Sequence, residues 1–176
     1  MAEPDPYRSY IYLEKLFDAS NNTKLKNIPI PIQIAATNYI VSAIQFIDNP
    51  SEQVKLAAVT SDGEAIQYIE NPSEQVKLAA VTSQWDAIQD IENPSEQVKL
   101  AAVTSNWLAI QYIENPSEEL QLAAVARNWL AIGNYYIKNP TEQVKLAAVE
   151  KNGKAIQYIE NPSEELQLAA WASGGR

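Results

Sequence analysis

The sequence NPSEQVKLAAVTS occupies residues 49–61 and recurs unchanged at residues 71–83 and 93–105. Close variants begin at Asn115, Asn139 and Asn161. The first copies start 22 residues apart, and a fixed period in this range indicates a stacked repeat array. Each repeat of such an array buries its apolar face only against its neighbours, so we expect function on an extended surface and not in one pocket.

The period also extends upstream of these copies. Stepping back 22 residues from Asn49 uncovers a degenerate repeat with the same alanine and isoleucine positions. We number the repeats 1 to 7; they occupy residues 27–48, 49–70, 71–92, 93–114, 115–138, 139–160 and the segment from 161. Repeat 5 has 24 residues because GNYYIK replaces QYIE. We therefore predict a single array over residues 27–176.

Residues 1–26 fall outside the period. Apolar side chains recur there at helical spacing, namely Tyr10, Ile11, Leu13, Leu16 and Phe17. This spacing predicts an N-terminal capping helix.

Each repeat begins with signals of a helix start. Asn49 is predicted to cap the helix and Pro50 to take its first position. Glu52 is then expected at the third helical position, where a capping-box acid reaches back to the cap. The aligned acids share this structural explanation: Glu74, Glu96, Glu118, Glu142 and Glu164.

The rest of each repeat is predicted to be a helical hairpin. Val54, Ala57, Ala58 and Ser61 are expected on one face, with Leu56 and Val59 beside it. The dipeptides Asp62-Gly63 and Asn152-Gly153 predict a turn in which Gly takes positive φ. Ala65, Ile66 and Ile69 then point inward. The alternative is one long helix per repeat, because repeats 3 and 4 contain no glycine.

These patterns together predict an all-α fold, an α-solenoid of stacked 22-residue helical-hairpin repeats with an N-terminal capping helix. Leu100 and its aligned leucines are expected in the core.

Composition argues against enzymes and metal proteins. The chain has no cysteine and no histidine, so it lacks the usual nucleophile, general base and zinc ligands. We therefore predict no catalytic residues, no cofactor and no metal. No apolar run is long enough for a membrane helix, and the N-terminus does not resemble a secretory signal, so a cytoplasmic location without membrane contact is expected.

The net charge of −9 is concentrated in residues 49–114, which hold ten acidic residues against three lysines. Such a charge disfavours direct binding to nucleic acid and favours a protein partner with a basic patch.

Variation between the repeats selects two groups of candidate binding residues. The position of Gly63 becomes Trp85, Trp107 and Trp129 in the next three repeats. These rings either cover the groove between hairpins or form a recognition strip, since tryptophan is enriched in interface hot spots.

Acidic side chains form the second group. Asp90 replaces a tyrosine of the other repeats, Asp86 precedes it by four residues, and Glu92 is close by. Like charges at that spacing repel slightly, so the placement does not serve helix stability. The group is either a solvated face or a docking site for basic groups.

The Asn-Pro-Ser-Glu start, the Leu-Ala-Ala-Val centre and the Ala-Ile-Gln-Tyr-Ile end resemble a known short repeat family. It is catalogued as a domain of unknown function, the DUF4116 type, and occurs in tandem. The resemblance covers residues 49–170 and implies an all-helical array without implying an activity.

Two functions remain open from the sequence. The first is a non-enzymatic scaffold that binds a protein along its central repeats. The second is an acidic inhibitor that imitates nucleic acid and occupies a DNA- or RNA-binding protein. The response of binding to salt distinguishes them.

Overall fold

The computed structural model describes residues 5–16, 27–133 and 135–174. All regular elements in these ranges are helical. The α-helices are α1 Pro6–Leu16, α2 Ile30–Tyr39, α3 Glu52–Ser61, α4 Glu74–Ser83, α5 Glu96–Ser105, α6 Glu118–Arg127, α7 Glu142–Lys151 and α8 Glu164–Ala172. The 3₁₀-helices are η1 Val41–Phe46, η2 Gly63–Tyr68, η3 Trp85–Asp90, η4 Trp107–Tyr112, η5 Trp129–Ile132 and η6 Gly153–Tyr158.

Each complete repeat is an α-helix followed by a short 3₁₀-helix, which we call its second arm. In repeat 3, α4 ends at Ser83, Gln84 is extended with φ −146°, and η3 begins at Trp85. The predicted hairpin is therefore confirmed and the single long helix is excluded. Six residues are too few to hold such an arm alone, so packing against neighbouring helices stabilises it.

The helix caps differ from the prediction. Ser73, and not the asparagine before it, is the N-cap of α4, and its Oγ accepts a hydrogen bond from the N–H of Val76 at 3.2 Å. Asn71 instead has φ 48°, in the left-handed region that asparagine tolerates better than most residues. Asn49, Asn93, Asn115 and Asn161 share this conformation. The asparagine therefore reverses the chain between repeats, and the serine caps.

The repeated acid also has another role than predicted. Glu52 is the first residue of α3 and not the third, so it cannot form a capping box. Its carboxylate accepts a hydrogen bond from Ser73, the cap of the next repeat. Glu96 accepts the same bond from Ser117 at 3.3 Å. These bonds connect the start of one helix to the cap of the next. The negative charge of the acid also interacts favourably with the positive end of its own helix dipole.

Fewer positions of each α-helix belong to the core than predicted. Val54, Ala58 and Val59 are fully buried in α3, whereas Leu56 and Ala57 are half-buried and Ser61 is exposed. The corresponding residues repeat this pattern in repeats 3 to 6, so Leu100 is half-buried and Val98, Ala102 and Val103 form the core of α5. In repeat 1, Ile32 is half-buried and Ala35 is buried instead. Ala65, Ile66 and Ile69 are buried as predicted.

The chain divides into two compact units, an N-terminal unit Met1–Pro94 and a C-terminal unit Ser95–Arg176. Within the N-terminal unit, α1 covers α2, and α2, α3 and α4 pack in series. Helix α1 confirms the predicted cap, although Phe17 and the side chains of Leu13 and Leu16 lie outside what the structure describes. Within the C-terminal unit, α5 to α8 pack in series with their second arms between them.

Gly63 is required by close packing and not by positive φ. Asp62 is extended, and its carboxylate caps η2 by accepting from the N–H of Glu64 at 2.9 Å. A Cβ on Gly63 would lie 2.6 Å from the Cβ of Gln84 and 2.7 Å from the carbonyl oxygen of Ala80. The predicted glycine turn is therefore wrong, because the chain turns through an extended Asp62 and the next helix occupies the space beside Gly63.

Gly63→Ala is expected to destabilise the protein by about 1–3 kcal/mol, because the new methyl group overlaps backbone that cannot move freely. The tryptophans at the aligned positions of repeats 3 to 5 would suggest instead that a larger side chain is tolerated there. Urea unfolding measures the change, with Thr60→Ala on the exposed side of α3 as the control. A Gly63→Ala protein within about 0.5 kcal/mol of the parent would show that the arm and α4 are not in close contact.

Candidate interaction surfaces

Trp107 and Trp129 occupy equivalent places in the C-terminal unit. Each is the first residue of its second arm, and each follows an extended asparagine that caps the arm. The Oδ1 atoms of Asn106 and Asn128 accept bonds from the N–H groups two residues on, both at 3.0 Å. This cap fixes the backbone on which each indole is mounted.

Each of these indoles packs against a tyrosine of the following repeat. The rings of Trp107 and Tyr136 meet edge to face, with centroids 4.9 Å apart and planes at 71°. Trp129 and Tyr158 lie 6.1 Å apart with planes tilted by 44°. Such pairs contribute about 0.5–1.5 kcal/mol beyond the burial of area. We call these four residues the aromatic stripe.

The aromatic stripe remains partly accessible to solvent. Both tryptophans and Tyr136 are half-buried, and Tyr158 is exposed. Leu130, next to Trp129, is also exposed. The rings therefore join neighbouring repeats and at the same time remain partly accessible to solvent, so packing and recognition are compatible roles.

Trp85 belongs to the N-terminal unit, where it begins η3 and is half-buried. The residue before it, Gln84, does not cap the arm; its side-chain amide instead donates to Glu64 at 3.1 Å.

An acidic patch lies beside this arm and consists of Glu64, Asp86 and Asp90. Oδ1 of Asp86 is buried and makes no hydrogen bond within the described residues. Partial desolvation, followed by the negative charges of Glu64 and Asp86, raises the pKa of the Asp90 carboxyl. A raised folded pKa means that ionising Asp90 as pH rises costs stability. The ionised Asp90 carboxylate therefore does not stabilise the fold.

Glu92 lies at the edge of a neighbouring cleft of about 600 Å³, which Lys77 and Asp90 also line. Its side chain is exposed, while its backbone carbonyl accepts a hydrogen bond from the Lys77 ammonium at 3.3 Å. The structure thus brings Asp86 and Asp90 close to Glu64, and Glu92 lines the neighbouring cleft together with Asp90.

Among the described residues, no group of three or more acidic side chains has the arrangement of a metal site. Nor does any described helix have the length and apolarity to cross a membrane.

Sequence reasoning missed several residues of these surfaces. Glu64 was recognisable only from its spatial proximity to Asp86 and Asp90. The partners of the tryptophans were missed because the register between repeats decides which tyrosine meets which indole. One signal was present in the sequence. Asp90 replaces a tyrosine in repeat 3, and the preceding repeat has Gly63 in place of a tryptophan, so no indole is available there for a tyrosine ring to cover.

No family model matches the chain, and comparisons with curated proteins and with solved structures give no significant match. The resemblance to the DUF4116 type of repeat therefore stays a prediction.

Proposed function

We propose that this protein is a non-enzymatic, cytoplasmic scaffold that binds a protein partner through the tryptophans of its repeats. The aromatic stripe supports the proposal most strongly. Its indoles are held by capped arms and neighbouring rings, yet they are only half-buried. Rigid, partly exposed aromatic side chains contribute much of the binding energy in protein interfaces, since little entropy is lost when they are covered.

A partner with basic residues is favoured by the N-terminal unit. The acidic patch carries three carboxyl groups, and an approaching ammonium or guanidinium would lower the pKa of Asp90 and relieve its repulsion with Glu64 and Asp86. Such complementarity mainly accelerates association and selects among partners.

The alternative is an acidic inhibitor that imitates nucleic acid. It is favoured by the same patch and by the charge of residues 49–114, and its affinity would come chiefly from charge. The two functions differ in how strongly binding depends on ionic strength.

A salt titration tests the proposal once a partner has been captured with the full chain as bait. Raising ionic strength from about 0.1 M to about 1 M shortens the Debye length from about 10 Å to about 3 Å. For a partner held by the aromatic stripe, we expect affinity to fall by less than about tenfold. A steeper loss, with a partner that also binds DNA or RNA, would instead support the inhibitor.

A further inference from the structure

Helix α8 exposes apolar positions that repeats 2 to 6 cover. Trp171 is 76% exposed, and Leu168, three residues before it on the same helical face, is 61% exposed. The aligned leucines of repeats 2 to 6 are half-buried. The position of Trp171 is a buried valine in those repeats, namely Val59, Val81, Val103, Val125 and Val149. Two large apolar side chains of α8 therefore lack the cover that their counterparts have.

The second arm that packs on α8 also has a side chain with less cover. Ile156 of η6 is half-buried, whereas the aligned isoleucines of repeats 2 to 5 are at most 3% exposed. Arm η6 contacts both α7 and α8, so Ile156 belongs to the same side of the repeat as the exposed side chains of α8. We call Ile156, Leu168 and Trp171 the open face.

The open face does not suit a further repeat of the same kind. The layers of the array are spaced for a valine at the position of Trp171, because five repeats bury a valine there. An indole is much larger, and forcing it into that space would displace the neighbouring side chains and backbone. The open face therefore favours an occupant whose shape differs from that of a repeat.

A carboxylate lies at the start of the open face. Glu164 is the first residue of α8, and its side chain is exposed. The aligned Glu52 shows where this side chain is directed, because its carboxylate accepts a hydrogen bond from Ser73 of the following repeat. Glu164 therefore extends from the side of α8 that carries the open face.

An ammonium group lies at the other end of the same face. The N–H of Gly153 donates to the carbonyl of Ser173 at 3.4 Å, so the exposed Lys154 adjoins the C-terminal end of α8. The aligned Glu64 accepts a bond from Gln84, which follows the helix of the next repeat. Lys154 is thus directed across the end of α8 as Glu64 is directed across the end of α4.

A face with opposite charges at its two ends is complementary to a second copy of itself. Leu168 is the middle residue of α8. A two-fold axis beside Leu168 would run two α8 helices antiparallel and bring Glu164 of each copy near Lys154 of the other. Trp171 of each copy would then cover the apolar centre of the pair. Two-fold interfaces require this kind of self-complementary surface.

We propose that the open face is a homodimer interface in which the α8 helices of two copies pair antiparallel. The apolar centre supplies the affinity, and the pairs of Glu164 with Lys154 select the antiparallel orientation. One helix and one short arm per copy form a small interface, so the dimer should be weak and depend on concentration. This interface is additional to the proposed partner binding and does not depend on it.

Sedimentation equilibrium of the full chain between about 5 µM and about 500 µM tests the dimer, and we expect a dissociation constant within that range. Trp171→Glu should weaken dimerisation by about tenfold or more, because the carboxylate would be buried in the apolar centre. The matched control is Tyr135→Glu, the same substitution at an aromatic residue that is 78% exposed in the same unit. It should dimerise as the parent does, and thermal midpoints check that each variant is folded.

The orientation is tested by reversing one charge at a time. Lys154→Glu alone and Glu164→Lys alone should each dimerise about threefold or more weakly, because like charges then meet at both ends of the pair. An equimolar mixture of these two variants should recover the affinity of the parent, since a mixed dimer restores opposite charges at both ends.

Three results would overturn the proposal. The first is a chain that stays monomeric over the whole concentration range, and the second is dimerisation that Trp171→Glu leaves unchanged. The third is a mixture of the two charge variants that associates as weakly as either alone. Species that keep growing beyond the dimer would indicate head-to-tail association and equally contradict a two-fold pair.

Discussion

Replacing Ile110 by alanine is expected to lower the free energy of unfolding by about 2–5 kcal/mol. Ile110 lies in η4 and is 1% exposed. The substitution removes buried methyl groups and leaves a cavity beside α5 and α6, the helices against which η4 packs. Because the arm is too short to be helical alone, losing its main apolar anchor should also loosen the contact between repeats 4 and 5.

Urea unfolding followed by circular dichroism measures this change. Thr104→Ala on the exposed side of α5 is the control and should stay within about 0.5 kcal/mol of the parent. If Ile110→Ala lowers the free energy of unfolding by less than about 1 kcal/mol, the second arms do not contribute to the stability of the core.

Trp107→Ala is expected to weaken binding of the captured protein partner by about 2 kcal/mol or more, roughly a thirtyfold loss of affinity. The substitution removes the indole that packs against Tyr136. Stability should fall less than in Ile110→Ala, because the indole is only half-buried. We therefore expect the loss of affinity to exceed the loss that reduced stability alone would cause.

Val98→Ala provides the matched control for this effect. Val98 is fully buried in α5 and presents nothing to solvent, so its truncation lowers stability without altering the aromatic stripe. Equal losses of affinity in the two variants would show that weakened folding, and not the missing indole, reduces binding.

The repeat period and the hairpin were predictable because the chain contains several copies of one repeat, and aligning them shows which positions keep the same residue. Ala65 and Ile66 recur at the same offset in repeats 1 to 6, and such recurrence of apolar residues indicates a buried position in every layer. The break near residue 62 was also correct. Its conformation was not, because Asp and Gly favour several kinds of turn and the extended form was selected by the approach of α4.

The caps could not be assigned from the sequence, since Asn49 and Ser51 are both good capping residues two positions apart. In five of these repeats the asparagine instead takes the left-handed conformation, which asparagine tolerates, and serine is the cap. Likewise, six residues carry too little periodicity to distinguish a 3₁₀ arm from an α-helical one.

Of the candidate binding residues, the tryptophans and acids were found by comparing repeats, but their surroundings were not. Tyr136 lies two positions later in repeat 5 than Tyr112 does in repeat 4, so alignment of the repeats alone does not pair it with Trp107.

The affinity of the partner for folded Trp107→Ala protein tests the scaffold function most directly. Calorimetry gives the dissociation constant, and the thermal midpoint of the same sample gives the fraction of folded protein. The scaffold function predicts an affinity about thirtyfold weaker per folded molecule, with most of the stability retained. Unchanged affinity per folded molecule, together with a large loss of stability, would contradict it and reduce the aromatic stripe to packing between repeats.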